Sequence, residues 1–281
     1  MKDALIVSIL SVAPRNRGAR LMGWVARSRV SRAITRVFVK VYGLDMSEAE
    51  HPISAYPTLE DLFTRRLKAG ARPIDDHPDV LVSPVDATVA YVGTTRDGAV
   101  PIAEGRSLSV PDLLGSADAA EGPWDVVVLY LSPKDYHRIH VPREGAAEGW
   151  RYVPGTLWPV FPASVRRVEG VFSRNERLTV RIRSDRGPID VVMIGAFGVG
   201  RITTEVCDVV TNTDRQPSAA TLDPPRPMAR GADLGVFHLG STVVLVTPAG
   251  RWQWSTEVGE SVRMGRPIAT APRQIATLDN P

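Results

Sequence analysis

One cysteine, Cys207, is all that the 281 residues contain. It excludes an internal disulfide and a cysteine-built metal cluster, and it suits a reducing compartment. The chain also lacks a glycine-rich phosphate loop, zinc spacing, an internal repeat and any low-complexity tract. No metal and no nucleic acid are therefore expected as partners. Long apolar runs are missing too: Ala4 to Ala13 is shorter than the roughly 20 residues a membrane-spanning helix needs. The same run could imitate a signal-peptide core, but Asp3 weakens its positive flank and Pro14 follows the only plausible cut, so the N-terminus is expected to be retained. Acidic residues are almost absent from Met1 to Leu44, where Asp3 faces Lys2, Arg15, Arg17, Arg20, Arg27, Arg29, Arg32, Arg36 and Lys40. A net charge of only +3 hides that asymmetry, which calls for a partner carrying negative charge.

What remains is the composition of a globular enzyme, 43% hydrophobic and 23% charged, long enough for a substantial core. Between Arg20 and Gly43, Val30, Ile34, Val37, Phe38 and Val41 recur at three- and four-residue steps, with Arg29, Arg32, Arg36 and Lys40 on another face. This spacing predicts one amphipathic helix. Arginines near its middle would each cost about 2.5–3.5 kcal/mol inside a bilayer, so the helix should lie on a surface, with Trp24 at the boundary favouring a membrane. The alternative is a solvated basic helix packed on its own domain. A second helix is expected from Thr58, capped reciprocally with Asp61, to about Gly70, and a short one in VPDLL after Ser109. From Leu81 the texture changes to short β-branched runs broken by Gly, Pro and Asp, which predicts antiparallel strands. The expected fold class is thus α+β: a helical basic N-terminal region, residues 1–75, then a predominantly antiparallel β barrel or sandwich-like catalytic domain, residues 76–281.

Three segments carry more polar specificity than strand cores require. Ser83 to Thr88 (SPVDAT) places Asp86 at a turn, where the segment taken alone favours a turn-capping role over a catalytic one. Tyr130 to Pro142 (YLSPKDYHRIHVP) holds His137 and His140, which would point to opposite faces of a regular strand, so a bend is needed if both serve one site. In the third, GVFHLGSTVV, a Gly240-Ser241 pair interrupts an apolar strand. Glycine there packs poorly but leaves its carbonyl open to the neighbouring hydroxyl. A hydroxyl needs a base, most often an imidazole oriented by a carboxylate. Asp86, His140 and Ser241 are candidates that spacing alone cannot bring together.

With these residues in view, the sequence resembles the phosphatidylserine decarboxylase family from about Tyr56 to Ala269. The likeness runs in order through LFTRRLKAGARPI, SPVDATV, YLSPKDYHRIHVP, VFSRNER, MIGAFGVGRI, HLGSTVV and GESVRMGRPIA. Departures are Ala87 where glycine is common, Leu239 where phenylalanine is frequent, and Arg201 where serine is common. The resemblance implies that Asp86, His140 and Ser241 match the self-cleavage triad and that His137 matches the histidine of substrate handling and decarboxylation. It further implies that His140, held by Asp86, deprotonates Ser241, whose oxygen attacks the Gly240 carbonyl to form an ester. Elimination frees the Gly240 carboxylate, and hydrolysis of the resulting dehydroalanine leaves ammonia and a covalent pyruvoyl cofactor derived from Ser241. Two chains, 1–240 and 241–281, would come from one precursor. His137 is expected to protonate the carbanion left by carbon dioxide, with an ordinary imidazole pKa. Arg174, Asn175 and Arg177 are expected either to bind substrate phosphate or carboxylate or to form a structural turn. The implied partners are phosphatidylserine and an anionic phospholipid membrane, with room for a homodimer, and the implied place is the cytoplasmic side of the cell membrane, held peripherally. A relative acting on another amino acid or headgroup is the alternative within the class. A non-catalytic membrane-associated β module is the alternative outside it, because GESVRMGRPIA also resembles the turns of carrier and permease-associated barrel domains.

Overall fold

The computed structural model describes residues 15–95, 98–103, 106–116, 122–198, 200–213, 216–238 and 241–272. The apolar run Ala4–Ala13, Leu239 and Gly240 lie outside the described residues.

The amphipathic stretch is two helices rather than one. Helix α1 (Arg15–Arg27) gives way at Ser28, which is extended, and a 3-10 turn over Arg29–Ser31 leads into α2 (Arg32–Tyr42). The serines cause the break: Ser28 Oγ donates to Val25 O at 2.6 Å and Ser31 Oγ to Ser28 O at 2.7 Å, local bonds that compete with the helical ladder. Gly43, left-handed at φ 65°, ends α2. Helix α3 (Leu59–Phe63) is capped as expected, with Thr58 Oγ1 accepting the Asp61 N–H at 3.1 Å. It stops seven residues short of Gly70 because the chain turns there: Leu67 bridges to Ala49, and Arg65 is buried and donates to the carbonyls of Leu62, Lys134 and Asp135.

The strands are β1 (Val80–Val82), β2 (Ala87–Thr94), β3 (Ala99–Ala103), β4 (Arg106–Ser109), β5 (Trp124–Leu131), β6 (Arg138–His140), β7 (Gly145–Val153) and β8 (Arg177–Ser184). They continue with β9 (Gly187–Gly195), β10 (Ile202–Thr204), β11 (Ser218–Met228), β12 (Asp233–Phe237), β13 (Ser241–Pro248), β14 (Gln253–Trp254), β15 (Ser261–Val262) and β16 (Pro267–Thr270). Short helices α4 (Val110–Leu114), the predicted VPDLL, α5 (Pro162–Arg167) and α6 (Val171–Arg174) fill the connections. An eight-stranded antiparallel sheet in the order β11-β7-β8-β9-β13-β5-β2-β15 forms the centre, and no closed barrel is formed among the described residues. The arrangement is sandwich-like. Val243 and Leu245 of β13 share one face with Leu129, Leu131, Val191 and Met193, and there they meet Ile139, Leu234, Phe237 and Ile202 of a small β10-β12-β6 sheet. Val244 and Val246 point the other way, toward Val100, Leu108, Leu113 and Phe172. Burial on both faces explains why the central strands read as continuous apolar runs instead of alternating. Each such buried Val or Leu contributes roughly 1.5–3 kcal/mol. Gly235 lets the small sheet close up, since a Cβ at this position would sit 2.7 Å from Thr203 O.

Candidate active site

Antiparallel register gathers the motif residues at one end of the large sheet. Ser241, first in β13, pairs with Leu131 at the end of β5 and with Gly195 at the end of β9, and the neighbouring β2 starts at Ala87, directly after Asp86. Side-chain alternation places Ser241 on the Val243 and Leu245 face, toward the small sheet that carries His140 in β6. The Ser241 side chain is fully buried, and its Oγ has no hydrogen-bond partner among the described residues. A buried hydroxyl without a partner is costly.

The bend between the two histidines is present: His137 precedes β6 and His140 ends it, while the Phe237 N–H donates to His137 O at 3.0 Å and the His140 N–H to Pro84 O at 2.9 Å. Both rings have defined tautomers, because a carbonyl can only accept. His140 Nδ1–H donates to Gly231 O at 2.9 Å, which leaves Nε2 as an acceptor facing the Tyr136 hydroxyl at 3.2 Å. His137 Nδ1–H donates to Asp135 O at 2.9 Å, so its buried Nε2 also carries a lone pair, with no hydrogen-bond partner among the described residues. The Phe63 ring of α3 lies 4.0 Å from the His137 ring.

Burial pushes the His140 imidazole below its usual pKa, against the opposing pull of Asp233 and the Gly231 carbonyl. His137 is pushed down to about 3 by burial, with Arg65 adding to the effect. The expected ordinary pKa of His137 is thus corrected: in the uncut chain the ring is neutral at pH 7.

Asp86 does not hold His140. Its carboxylate takes the Arg72 guanidinium at 2.9, 3.1 and 2.5 Å and the Met264 N–H at 2.9 Å. The carboxylate beside His140 Nδ1 belongs to Asp233, at 3.5 Å, which also pairs with Arg138 and Arg66 at 3.0 Å each. Burial works to raise the Asp233 carboxyl, but Arg138, His140 and Arg66 outweigh it and hold it ionised below the usual range. Asp86, Asp135, Tyr136, Arg65 and Arg72 line a cavity of about 440 Å³ next to this cluster.

The RNER segment is a structural turn. Asn175 is buried, donating to Trp158 O at 2.8 Å and Gly195 O at 2.9 Å and accepting the Trp158 N–H at 2.8 Å. Arg177 is also buried and donates to the carbonyls of Leu113, Ser173, Asn175 and Asp112. With their donors used on the main chain, neither is available to a substrate, while Arg174 is exposed. Sequence reading missed Asp233, Arg72 and Tyr136. Tyr136 and Arg72 stood inside motifs that had been singled out, and Asp233 stood in none.

A sandwich with a buried serine at a strand head, without a partner among the described residues and facing a strand that carries a buried acceptor imidazole, has the parts of a protein that acts on its own backbone. The family model for phosphatidylserine decarboxylase matches residues 59–270, and the chain belongs to that family. The phosphatidylserine decarboxylase proenzyme of Myxococcus xanthus (strain DK1622) is 38% identical over 278 residues, covering 95% of this chain and 99% of that one. The proenzyme of the same name from Brevibacillus brevis (strain 47) is 37% identical over 278 residues, covering 96% and 99%. That of Anaeromyxobacter sp. (strain K) is 38% identical over 284 residues, covering 96% and 100%.

Proposed function

We propose that the chain is the precursor of a pyruvoyl-dependent phosphatidylserine decarboxylase that cuts itself between Gly240 and Ser241 and makes phosphatidylethanolamine and carbon dioxide. The buried, unpartnered Ser241 hydroxyl carries the reading. No described residue bonds to that oxygen, and the β5 and β9 ladders hold the Ser241 backbone from both sides. His140 Nε2, kept as an acceptor by Gly231, takes the serine proton, and Oγ then attacks the carbonyl carbon of Gly240. Asp233 steadies the imidazolium that forms, while Asp86 and Arg72 brace the turn beneath it.

These residues suit a pyruvoyl group at position 241. Such a group supplies an electron sink for the charge released as carbon dioxide leaves. His137 presents its Nε2 lone pair at that later stage, where it can take up a proton and pass it to carbon.

The substrate is a bilayer lipid, and α1 and α2 suit a membrane surface. Trp24 is 65%, Val30 80% and Val41 70% exposed on the outer side of these helices, while Ala26, Ser31 and Thr35 are buried beneath. An outward apolar face ringed by exposed Arg29, Arg36 and Lys40 fits peripheral attachment to anionic lipid. Among the described residues no helix is long and apolar enough to cross a membrane.

The test is intact mass together with a denaturing gel. The wild-type chain should appear as 1–240 and 241–281, the smaller with a blocked amino terminus. Ser241→Ala should stay whole and inactive, having no hydroxyl to attack with. Activity from a preparation that is entirely full length would overturn the reading.

A further inference from the structure

The upstream side of the Gly240-Ser241 bond is tied to the N-terminal helices through one carboxylate. Glu60 on α3 is 8% exposed, and three basic side chains from separate parts of the chain meet there. Its Oε1 accepts from His238 Nδ1 at 2.8 Å and from Arg201 Nη1 at 2.7 Å, and Oε2 lies 3.6 Å from Arg27 of α1. Burial works to raise the Glu60 carboxyl, but His238, Arg201 and Arg27 outweigh it and keep it ionised. The other His238 nitrogen, Nε2, is 3.2 Å from Thr203 Oγ1, and the His238 N–H donates to Arg201 O at 3.0 Å. The residue two positions before Gly240 is therefore fixed through its backbone and both ring nitrogens.

The downstream side is anchored independently, since Ser241 sits in register between Leu131 and Gly195. β12 ends at Phe237, so from His238 onward the described upstream arm leaves its strand. An acyl shift between neighbouring residues depends on the angle at which the hydroxyl meets the carbonyl carbon, and a displacement of about 1 Å can cost on the order of a hundredfold in rate. Two anchors bracket the bond. One is built into the sheet, and the other depends on a side chain 178 residues away in sequence.

We propose that Glu60 is a positioning residue for self-cleavage, acting through His238 to hold the upstream arm of the Gly240-Ser241 peptide in its reactive placement. The proposal rests on the self-cleavage reading above. It also makes maturation conditional on the helical region being folded against the sandwich, because Glu60 and Arg27 both come from that region.

The experiment is a pulse of synthesis of the full chain, with the cleavage half-time read on denaturing gels for wild type, Glu60→Gln, His238→Ala and the double variant. Ser241→Ala is the uncut reference. Val246→Ala, in the apolar core at the far end of β13, is a control for lost stability, with melting temperatures measured on the uncut Ser241→Ala background. Each single variant should lengthen the half-time at least about tenfold, and the double should be no slower than the slower single, as expected for two partners of one contact. His238→Ala removes that contact from the β side, so it tests the proposal even if Glu60→Gln disturbs α3. Wild-type half-times in either single variant, multiplying effects in the double, or equal slowing in Val246→Ala at equal loss of melting temperature would overturn the proposal. A wild-type chain that never cleaves would instead overturn the underlying reading.

Discussion

At the scale of single residues, burial sets the chemistry of the two motif histidines. Folding holds both neutral, His137 down to about 3 against 6.5 in an exposed chain, and His140 lowered in the same direction. Below pH 6.5 the unfolded chain therefore binds protons that the folded chain refuses. Stability is fully present above about 6.5 and is lost as pH falls from there toward the folded pKa. Between pH 6.5 and 5.5 each ring contributes a slope of at most about 1.4 kcal/mol per pH unit, while the Asp135 carboxyl, raised by burial, works in the opposite sense. Denaturant unfolding of the Ser241→Ala precursor across that range should show it, and adding His137→Gln should flatten it; an unchanged slope would mean that this ring is not held neutral. Asp233→Asn should slow cleavage only about tenfold, about 1.4 kcal/mol, because the Gly231 carbonyl still fixes the His140 tautomer. Gel half-times at pH 7.5 measure this, and wild-type rates in the variant would remove Asp233 from the site. The sequence made His137, His140 and Ser241 legible because each stands in a polar motif that is odd for a strand. Asp233 was not legible, since ADLG reads as an ordinary strand start, and neither was the Arg72 pairing that takes Asp86 away from His140.

At the scale of elements, hydrophobic period found the amphipathic stretch but could not say what its apolar face meets. Two serines divide it, and Phe38, which periodicity grouped with Val30, Ile34, Val37 and Val41, turns inward, with its ring 6.1 Å from that of Phe63. The other four remain exposed. The capping pair Thr58 and Asp61 was readable, being local chemistry, whereas the early end of α3 depends on bonds from Arg65 to a loop about seventy residues away. The same distinction shapes the lipid prediction. Arg29→Gln with Arg36→Gln should weaken vesicle co-sedimentation mainly at low salt, because exposed attraction is screened. Val37→Ser with Val41→Ser should weaken it at every salt concentration, since buried apolar area is lost. Phe38→Ser should instead lower the melting temperature. Full sedimentation of both paired variants at all salt concentrations would move the anchor elsewhere on the molecule.

At the scale of the whole molecule, a cut at residue 240 falls next to a central strand. β13 lies between β5 and β9 in the middle of the eight-stranded sheet, in register with β5 from Ser241↔Leu131 to Pro248↔Trp124. Farther along, β15 pairs with β2, and β16 pairs with both β1 and β14. The segment after the cut is therefore held to the larger chain by four strand pairings, β13 with β5 and with β9, β15 with β2, and β16 with β1. Val243, Val244, Leu245 and Val246 are each fully buried, which alone contributes roughly 6–12 kcal/mol gross. Cleavage breaks one peptide bond and none of these contacts, so the two chains should stay together as one folded body. On native size-exclusion chromatography the cleaved protein should elute at the position of the Ser241→Ala precursor, with both chains in the same peak. In denaturant, the two chains should separate only as the fold is lost, in a single transition followed equally by fluorescence and by release of the small chain. A small chain that leaves under native conditions, or one released well before the fluorescence change, would show that β13 is held less firmly than its place in the sheet requires.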